Sequence, residues 1–195
     1  AVWLQAVLYK MAPFPWDPSL SEGHEERLKN LAALVARAKA RGMGVFLYLN
    51  EPRAMQLAFY DKHPELKGAV EGDYAAMCTS DPAVQQYIAS SVALICDRVP
   101  DLRGFFTITA SENLTNCWSH HTGQKCPRCS KRAPDAVIAE VNALIDGGIK
   151  MASGGQRLIA WDWGWQDEWA EKAIERLPSD VAQMSVSEWS IPFTR

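Results

Sequence analysis

The stretch GFFTITASEN, residues 104–113, joins an uninterrupted apolar run to a polar loop. Because apolar and polar residues do not alternate in the run, it indicates a strand that is covered on both faces, as in a parallel sheet. Four more apolar runs of this kind occur, at residues 3–9, 44–49, 158–163 and 181–186. The sequence therefore predicts five strands of one parallel sheet.

Segments with helical periodicity separate these runs. The first has Ser21 as a candidate N-cap and Gly42 as a stop signal. The second begins at Pro82 and the third at Pro134, since proline is favoured in the first turn of a helix. A shorter fourth segment covers residues 166–176. Strands that alternate with helices predict an α/β fold with right-handed crossovers.

The connections between these elements are unequal in length. Turns from helix to strand are short, whereas three connections from strand to helix are long, at residues 10–23, 50–81 and 110–133. Long loops without a periodic pattern are commonly functional. In parallel α/β folds ligands bind at the carboxyl ends of the strands, where such loops begin. We therefore expect the functional site in these loops.

Two α/β architectures are compatible with five strand–helix units, an open doubly wound sheet and a segment of an eightfold barrel. No Gly-x-Gly-x-x-Gly or Walker-type loop follows any strand, which favours the (β/α)8 TIM-barrel type. Such a barrel needs about 250 residues, and this chain has 195. We therefore expect one partial barrel domain over residues 1–195, with the remainder of the barrel outside this chain.

The bulk composition excludes several classes of partner. A formal net charge of −3 without a basic block argues against nucleic-acid binding. No run approaches the roughly 20 apolar residues of a membrane span, so no membrane partner is expected. With 48% hydrophobic residues, the chain can bury a full core as a soluble domain.

Carboxylates and tryptophans stand where the predicted strands give way to loops. The candidate catalytic residues are Glu112, Asp162 and Glu188. The candidate substrate-binding residues are Glu51, Asn113, Trp161, Trp163 and Trp189. Paired carboxylates suit glycoside hydrolysis, because one acid protonates the leaving oxygen while a second group stabilises or attacks the sugar. Indole rings stack on the C–H faces of pyranoses. Any single Glu at a strand end is nevertheless more often structural than catalytic.

Six motifs resemble a known family in their order along the chain. They run from residue 48 to residue 163 as YLNEPRAM, HPELKG, CTSDPAVQ, GFFTITASEN, CPRC and IAWDW. This order resembles the barrel domains of the family-20 β-hexosaminidase-like glycoside hydrolases, and particularly relatives with a Cys-rich loop after the fourth strand. The resemblance implies a (β/α)8 barrel in which the first strand here is about the second and Glu112 ends the fourth.

The resemblance also implies roles for residues around Glu112. In that family an Asp-Glu pair occupies this place: the Glu is the general acid/base, and the Asp orients the 2-acetamido group of the substrate, which acts as the nucleophile. Glu112 matches the Glu, whereas Ser111 stands in place of the Asp, and Asp162 is a candidate replacement. The alternative is a two-carboxylate mechanism in which Glu188 or Glu51 is the partner of Glu112. Neither mechanism calls for a catalytic cofactor.

The loop at residues 113–133 contains two short metal-binding clamps, Cys117-x-x-His120 and Cys126-x-x-Cys129. Two ligands at this spacing can bind one tetrahedral zinc ion from a single turn, and four protein ligands make a closed, structural site. His121 can replace His120 as the ligand. The competing interpretation is a disulfide from Cys117 to one of the other two cysteines. Cys78 has no evident partner in the sequence.

Three functional classes follow from these features. The first is a glycoside hydrolase for β-linked sugars, including N-acetylhexosaminides as candidate substrates. The second is a barrel domain that binds carbohydrate without hydrolysing it, for which Ser111 is the main argument. The third is a zinc-stabilised interaction module. The family resemblance implies an exported or periplasmic protein, whereas a zinc site would also fit the cytoplasm.

Overall fold

The computed structural model describes residues 1–111 and 113–185. The strands are, in chain order, β1 (Val2–Ala6), β2 (Val45–Leu49), β3 (Met55–Gln56), β4 (Lys67–Glu71), β5 (Tyr74–Met77), β6 (Gly104–Ile108), β7 (Arg157–Trp161) and β8 (Ala182–Met184). The α-helices are α1 (Leu8–Met11), α2 (His24–Lys39), α3 (Pro82–Arg98), α4 (Pro134–Met151) and α5 (Asp167–Glu175). Short 3-10 helices cover Pro18–Ser21, Leu57–Asp61, Pro64–Leu66, Gly123–Lys125 and Cys129–Lys131.

Five strands form one parallel sheet in the order β1-β2-β6-β7-β8. Each strand falls on one of the five predicted apolar runs, so the prediction of a parallel α/β sheet is confirmed. The first run was predicted to be a strand as far as residue 9, whereas β1 ends at Ala6 and helix α1 begins at Leu8. The spatial order follows the chain order without reversal, which is the order in a βα barrel; a doubly wound sheet reverses at a switch point. The fold is therefore consistent with a partial α/β barrel. Within the described residues the sheet is open, because the edge strands β1 and β8 each pair with one neighbour only.

The hydrophobic core lies between one face of this sheet and the helices. Leu47, Phe105 and Leu158 point from neighbouring strands to this side. They pack against the apolar stripes of α2, α3 and α4, which include Ile88 and Ile145. Burial of these side chains supplies the main favourable free energy of folding, and it fixes the register of the strands whose ends carry the candidate site. No helix of the described residues is long and apolar enough to cross a lipid bilayer.

The opposite face of the sheet is aromatic and partly open. Trp3 stacks on Phe106 at a centroid distance of 4.5 Å, and Trp161 lies 5.6 Å from the same ring. Phe106 is buried by these neighbours, whereas Trp3 is 53% exposed. The expectation that strands are covered on both faces therefore holds for β6, whose five residues are all buried, and fails for β1 at the edge.

The long connection at residues 50–81 is more regular than its sequence indicates. It contains a second sheet with three antiparallel strands in the order β3-β5-β4. These strands have only two to five residues each, which is too short to produce a periodic pattern in the sequence. The second sheet projects from the carboxyl end of β2, beside the candidate site.

Candidate functional site

The carboxyl ends of β2 and β6 are joined by a network of polar side chains. The Asn113 amide donates to Oδ1 of Asn50 at 3.4 Å, and the Arg53 guanidinium donates to Oδ1 of Asn113 at 3.2 Å. Asn50 in turn donates to the carbonyl of Ile108 at 3.1 Å. The network fixes Asn113, the residue directly after Glu112, over the end of β2.

Glu51 is buried beneath this network and is only 2% exposed. One carboxyl oxygen accepts the Leu8 backbone N–H at 2.9 Å, and the other accepts the Arg53 backbone N–H at 3.1 Å. Burial raises the pKa of Glu51 to about 7, against the lowering effect of these two hydrogen bonds and of the Arg53 charge. Because each carboxyl oxygen of Glu51 already accepts a backbone N–H, this residue is better suited to holding the loops after β1 and β2 than to contacting a ligand.

Three of the predicted site residues, Glu112, Glu188 and Trp189, lie outside the described residues. The backbone that leads to Glu112 is nonetheless fixed by a close contact. Gly164, in the loop after β7, has a φ of +80°, and a Cβ on it would lie 1.7 Å from the carbonyl oxygen of Ala110. Only glycine permits this approach, which brings the loop after β7 against the two residues that precede Glu112.

Asp162 and two tryptophans follow β7. Oδ2 of Asp162 accepts hydrogen bonds from the Gln183 amide, at 2.7 Å, and from the Ser185 hydroxyl. The Trp161 and Trp163 rings lie 5.0 Å apart with an interplanar angle of 33°. Nε1 of Trp161 is buried and has no hydrogen-bond partner within residues 1–111 and 113–185. A carboxylate thus stands beside two indoles at the same edge of the sheet as Asn113.

Four cysteine thiols form a buried cluster between the loop at residues 113–133 and the second sheet. The sulfurs of Cys78, Cys117, Cys126 and Cys129 all lie within 4.8 Å of one another, and all four residues are buried. Cys78 Sγ lies 3.7 Å from Cys126 Sγ and 3.6 Å from Cys129 Sγ. A Zn–S bond of about 2.3 Å places two sulfurs of a tetrahedral site about 3.8 Å apart, so the cluster has the dimensions of a four-thiolate metal site.

The structure changes the predicted ligand set in one position. Cys117, Cys126 and Cys129 come together as predicted, but the fourth member of the cluster is Cys78 and not His120. His120 instead lies beside the Glu71 carboxylate, with Nδ1 2.9 Å from Oε2. All five cysteines of the chain are described and are free thiols, so the disulfide alternative is not observed.

The environment of the cluster favours bound thiolates. The Arg128 guanidinium donates to Cys78 Sγ at 3.3 Å, and the Ser80 hydroxyl lies 3.4 Å from Cys129 Sγ. A hydrogen bond with Cys117 lowers the pKa of Cys78 to about 6, and the same partner lowers the pKa of Cys126. The pKa of Cys117 is raised, chiefly by its hydrogen bond with Cys126, and the pKa of Cys129 is raised as well. Metals bind the thiolate form of cysteine, so Cys78 and Cys126 suit a cation as they stand, whereas Cys117 and Cys129 would release protons on binding it.

The cluster connects two loops that are distant in the sequence. Cys78 directly follows β5 in the second sheet, whereas the other three cysteines follow β6. A Cβ on Gly68 of β4 would lie 2.5 Å from Cys117 Sγ, so only glycine lets the second sheet approach the cluster this closely. The backbone N–H of Ala54 also donates to the carbonyl of Leu114 at 3.1 Å. A bound metal would therefore tie the loop that contains Glu112 to the second sheet.

Comparison with known proteins supports the fold at a coarse level. No protein-family model and no curated protein matches the chain. The structure is similar to that of a β-galactosidase from Rahnella sp. R3, with a TM-score of 0.50 over 97% of this chain and 11% sequence identity. The chain spans 35% of the length of that protein. At this identity the similarity shows the fold alone, and the resemblance to family-20 hexosaminidases stays a prediction.

Proposed function

We propose that this chain is part of a glycoside hydrolase for β-linked sugars, with Glu112 as the general acid/base. The observation that carries the proposal is that three strand ends meet at Ala110 and Asn113, described residues that precede and follow Glu112 in the sequence. Asn113 is bonded to Asn50 and Arg53 from β2, and Gly164 from the loop after β7 contacts Ala110. A β-galactosidase has a similar fold, which agrees with the proposal at the level of the fold, while the chemistry is argued from the residues of the site.

In the proposed reaction the Glu112 carboxyl gives its proton to the glycosidic oxygen as the bond from that oxygen to C1 of the sugar breaks. A second carboxylate, Glu188 or Asp162, stabilises or attacks the positive charge at C1, and water completes the hydrolysis. Where the sugar carries a 2-acetamido group, Asp162 would orient that group, because Ser111 occupies the position that an Asp has in the family-20 enzymes. Trp161 and Trp163 offer ring faces for stacking on the sugar.

The proposal is tested with 4-methylumbelliferyl β-glycosides of galactose, glucose and N-acetylglucosamine. We expect turnover of at least one of them by the purified protein and a loss of about 100-fold or more in kcat for Glu112→Gln. Glu175→Gln is the matched control, because Glu175 is an exposed residue at the far end of α5. Equal activity in Glu112→Gln and the control would refute the assignment of Glu112.

We further propose that the cluster of four cysteines holds one structural zinc ion. Four protein ligands leave no position for a catalytic water, and the metal would supply rigidity to the loop at residues 113–133. Metal analysis of the purified protein should give one zinc per chain. Cys78→Ser should lose the metal and His120→Ala should retain it, since only the first side chain belongs to the cluster. Retention of zinc in Cys78→Ser would contradict the proposed ligand set.

A second candidate function is carbohydrate binding without hydrolysis. Ser111 favours it, because serine cannot supply the negative charge that the substrate-assisted mechanism needs beside Glu112. Under this alternative the protein would bind sugars but hydrolyse none of the three glycosides. Calorimetric binding that is equal in wild type, Glu112→Gln and Asp162→Asn would support it, whereas turnover that depends on Glu112 would exclude it.

A further inference from the structure

A cavity of about 660 Å³ lies between the loop after β1 and the second sheet, and neither Glu51 nor Asp162 is among the residues that line it. Four aromatic side chains line it, and we call it the aromatic cavity: Tyr9, Trp16, Phe59 and Tyr74. Trp16 is held in place by edge-to-face contacts with Phe14, at 5.2 Å, and with Tyr87, at 5.5 Å. Tyr74 is 46% exposed and stands at the rim. The cavity therefore has a fixed aromatic wall and an open side.

Polar groups are placed among these rings. Asp17 uses Oδ1 to accept from the N–H and the hydroxyl of Ser19, at 3.2 and 2.6 Å, while Oδ2 has no partner in the described part of the chain. Gln56, Lys62 and His63 contribute an amide, an ammonium group and an imidazole to the lining. One carboxylate and one ammonium leave the wall with little net charge, so a neutral ligand rich in hydroxyl groups matches it better than an ion does.

The aromatic cavity adjoins a second cavity at Asn113, the residue that follows Glu112 in the sequence. A smaller cavity of about 270 Å³ is lined by Arg53 and Asn113. It shares Ala54 and Tyr74 with the aromatic cavity. Because Ala54 and Tyr74 border both cavities, a chain-like ligand at Asn113 can pass along them to the aromatic cavity.

We propose that the aromatic cavity is a subsite for a distal sugar unit of a β-linked oligosaccharide whose scissile bond lies at Glu112. Its volume falls in the range of about 300–1,000 Å³ that is usual for small-molecule sites. Its rings suit the C–H faces of a pyranose, and its Asp17 carboxylate and Gln56 amide suit the hydroxyl groups. The position of the scissile bond rests on the proposed function, whereas binding in the aromatic cavity does not.

The test compares the affinities of long and short ligands by isothermal titration calorimetry, with all variants made in the Glu112→Gln protein so that the probes are bound and not hydrolysed. The probes are β-1,4-linked tetrasaccharides of glucose, galactose and N-acetylglucosamine, together with the methyl β-glycosides of the same three sugars. At least one tetrasaccharide should bind about tenfold more tightly than its methyl glycoside. Trp16→Ala should abolish this difference, and Tyr74→Ala, which removes an exposed ring, should reduce it. Trp3→Ala is the matched control, because Trp3 is an exposed tryptophan outside the cavity.

Each outcome separates this inference from the proposed function. Tetrasaccharides that bind no better than methyl glycosides, or a preference that survives both Trp16→Ala and Tyr74→Ala, would overturn the subsite. The Tyr74 variant keeps the test valid if loss of Trp16 disturbs the packing on Phe14. A preference that depends on Trp16, together with a wild type that has no hydrolytic activity, would support the subsite and contradict the proposed hydrolase.

Discussion

Replacing Glu51 by glutamine should change how the stability of the protein depends on pH. The Glu51 carboxyl has a pKa of about 7 in the folded chain, raised by burial, and an ordinary value of 4.5 when it is solvated. Between these pH values the folded chain binds a proton that the unfolded chain has lost. The contribution of Glu51 is therefore fully present below about pH 4.5 and is lost as the pH rises to about 7.

The size of this effect follows from the two pKa values. Each pKa unit corresponds to about 1.4 kcal/mol, so the difference between 4.5 and 7 is worth about 3 kcal/mol in the free energy of unfolding. Glutamine does not titrate and should remove this dependence. Urea unfolding followed by tryptophan fluorescence, at pH values below and above this window, measures it. The stability of Glu51→Gln relative to wild type should thus rise by about 3 kcal/mol from the low to the high pH.

The control for this prediction is Glu175→Gln, the same change at an exposed position. It should keep the pH dependence of the wild type, because an exposed carboxyl pays little desolvation cost on folding. If Glu51→Gln and wild type lose stability in parallel as the pH rises, the buried carboxyl does not govern this window. The account of Glu51 as a buried carboxyl with a raised pKa that links the loops after β1 and β2 would then be wrong.

Two further predictions concern the loops around the site. At a free zinc concentration 1,000-fold above Kd, the bound metal should add about 4 kcal/mol to the free energy of unfolding. A strong chelator should remove this contribution and lower Tm, and an unchanged Tm would contradict a structural metal. Gly164→Ala should cost about 2 kcal/mol or more, because of its φ of +80° and the contact with Ala110. Gly147→Ala, in helix α4 with no atom within 4 Å of the added Cβ, should be neutral or stabilising, and equal effects of the two changes would refute the contact.

The parallel sheet could be predicted from the sequence because buried strands leave a continuous apolar run. The starts of α3 and α4 were predictable for a similar reason, since Pro82 and Pro134 occupy the first turn in the structure. The start of α2 was not: the N-cap is Gly23, with a φ of +73°, and not Ser21. The Ser21 hydroxyl instead accepts the Phe14 N–H and donates to the Pro18 carbonyl, so it closes the loop that precedes α2 and does not cap the helix.

The candidate site was predictable only where its members are close in the sequence. The Cys126-x-x-Cys129 clamp follows from local spacing, but Cys78 reaches the cluster through the second sheet, whose strands leave no pattern in the sequence. His120 has the right spacing from Cys117, yet Glu71 from β4 lies beside its imidazole. The contact of Asn113 with Asn50 likewise depends on the pairing of β2 with β6.

The most direct test of the central claim compares aryl β-glycosides with good and poor leaving groups in wild type and Glu112→Gln. A 2,4-dinitrophenolate departs without protonation, whereas a 4-methoxyphenolate needs a general acid. If Glu112 is that acid, kcat/KM of the variant should fall about 100-fold or more for the 4-methoxyphenyl glycoside and far less for the dinitrophenyl glycoside. Equal losses for both substrates would show that Glu112 does not protonate the leaving group and would contradict the proposed mechanism.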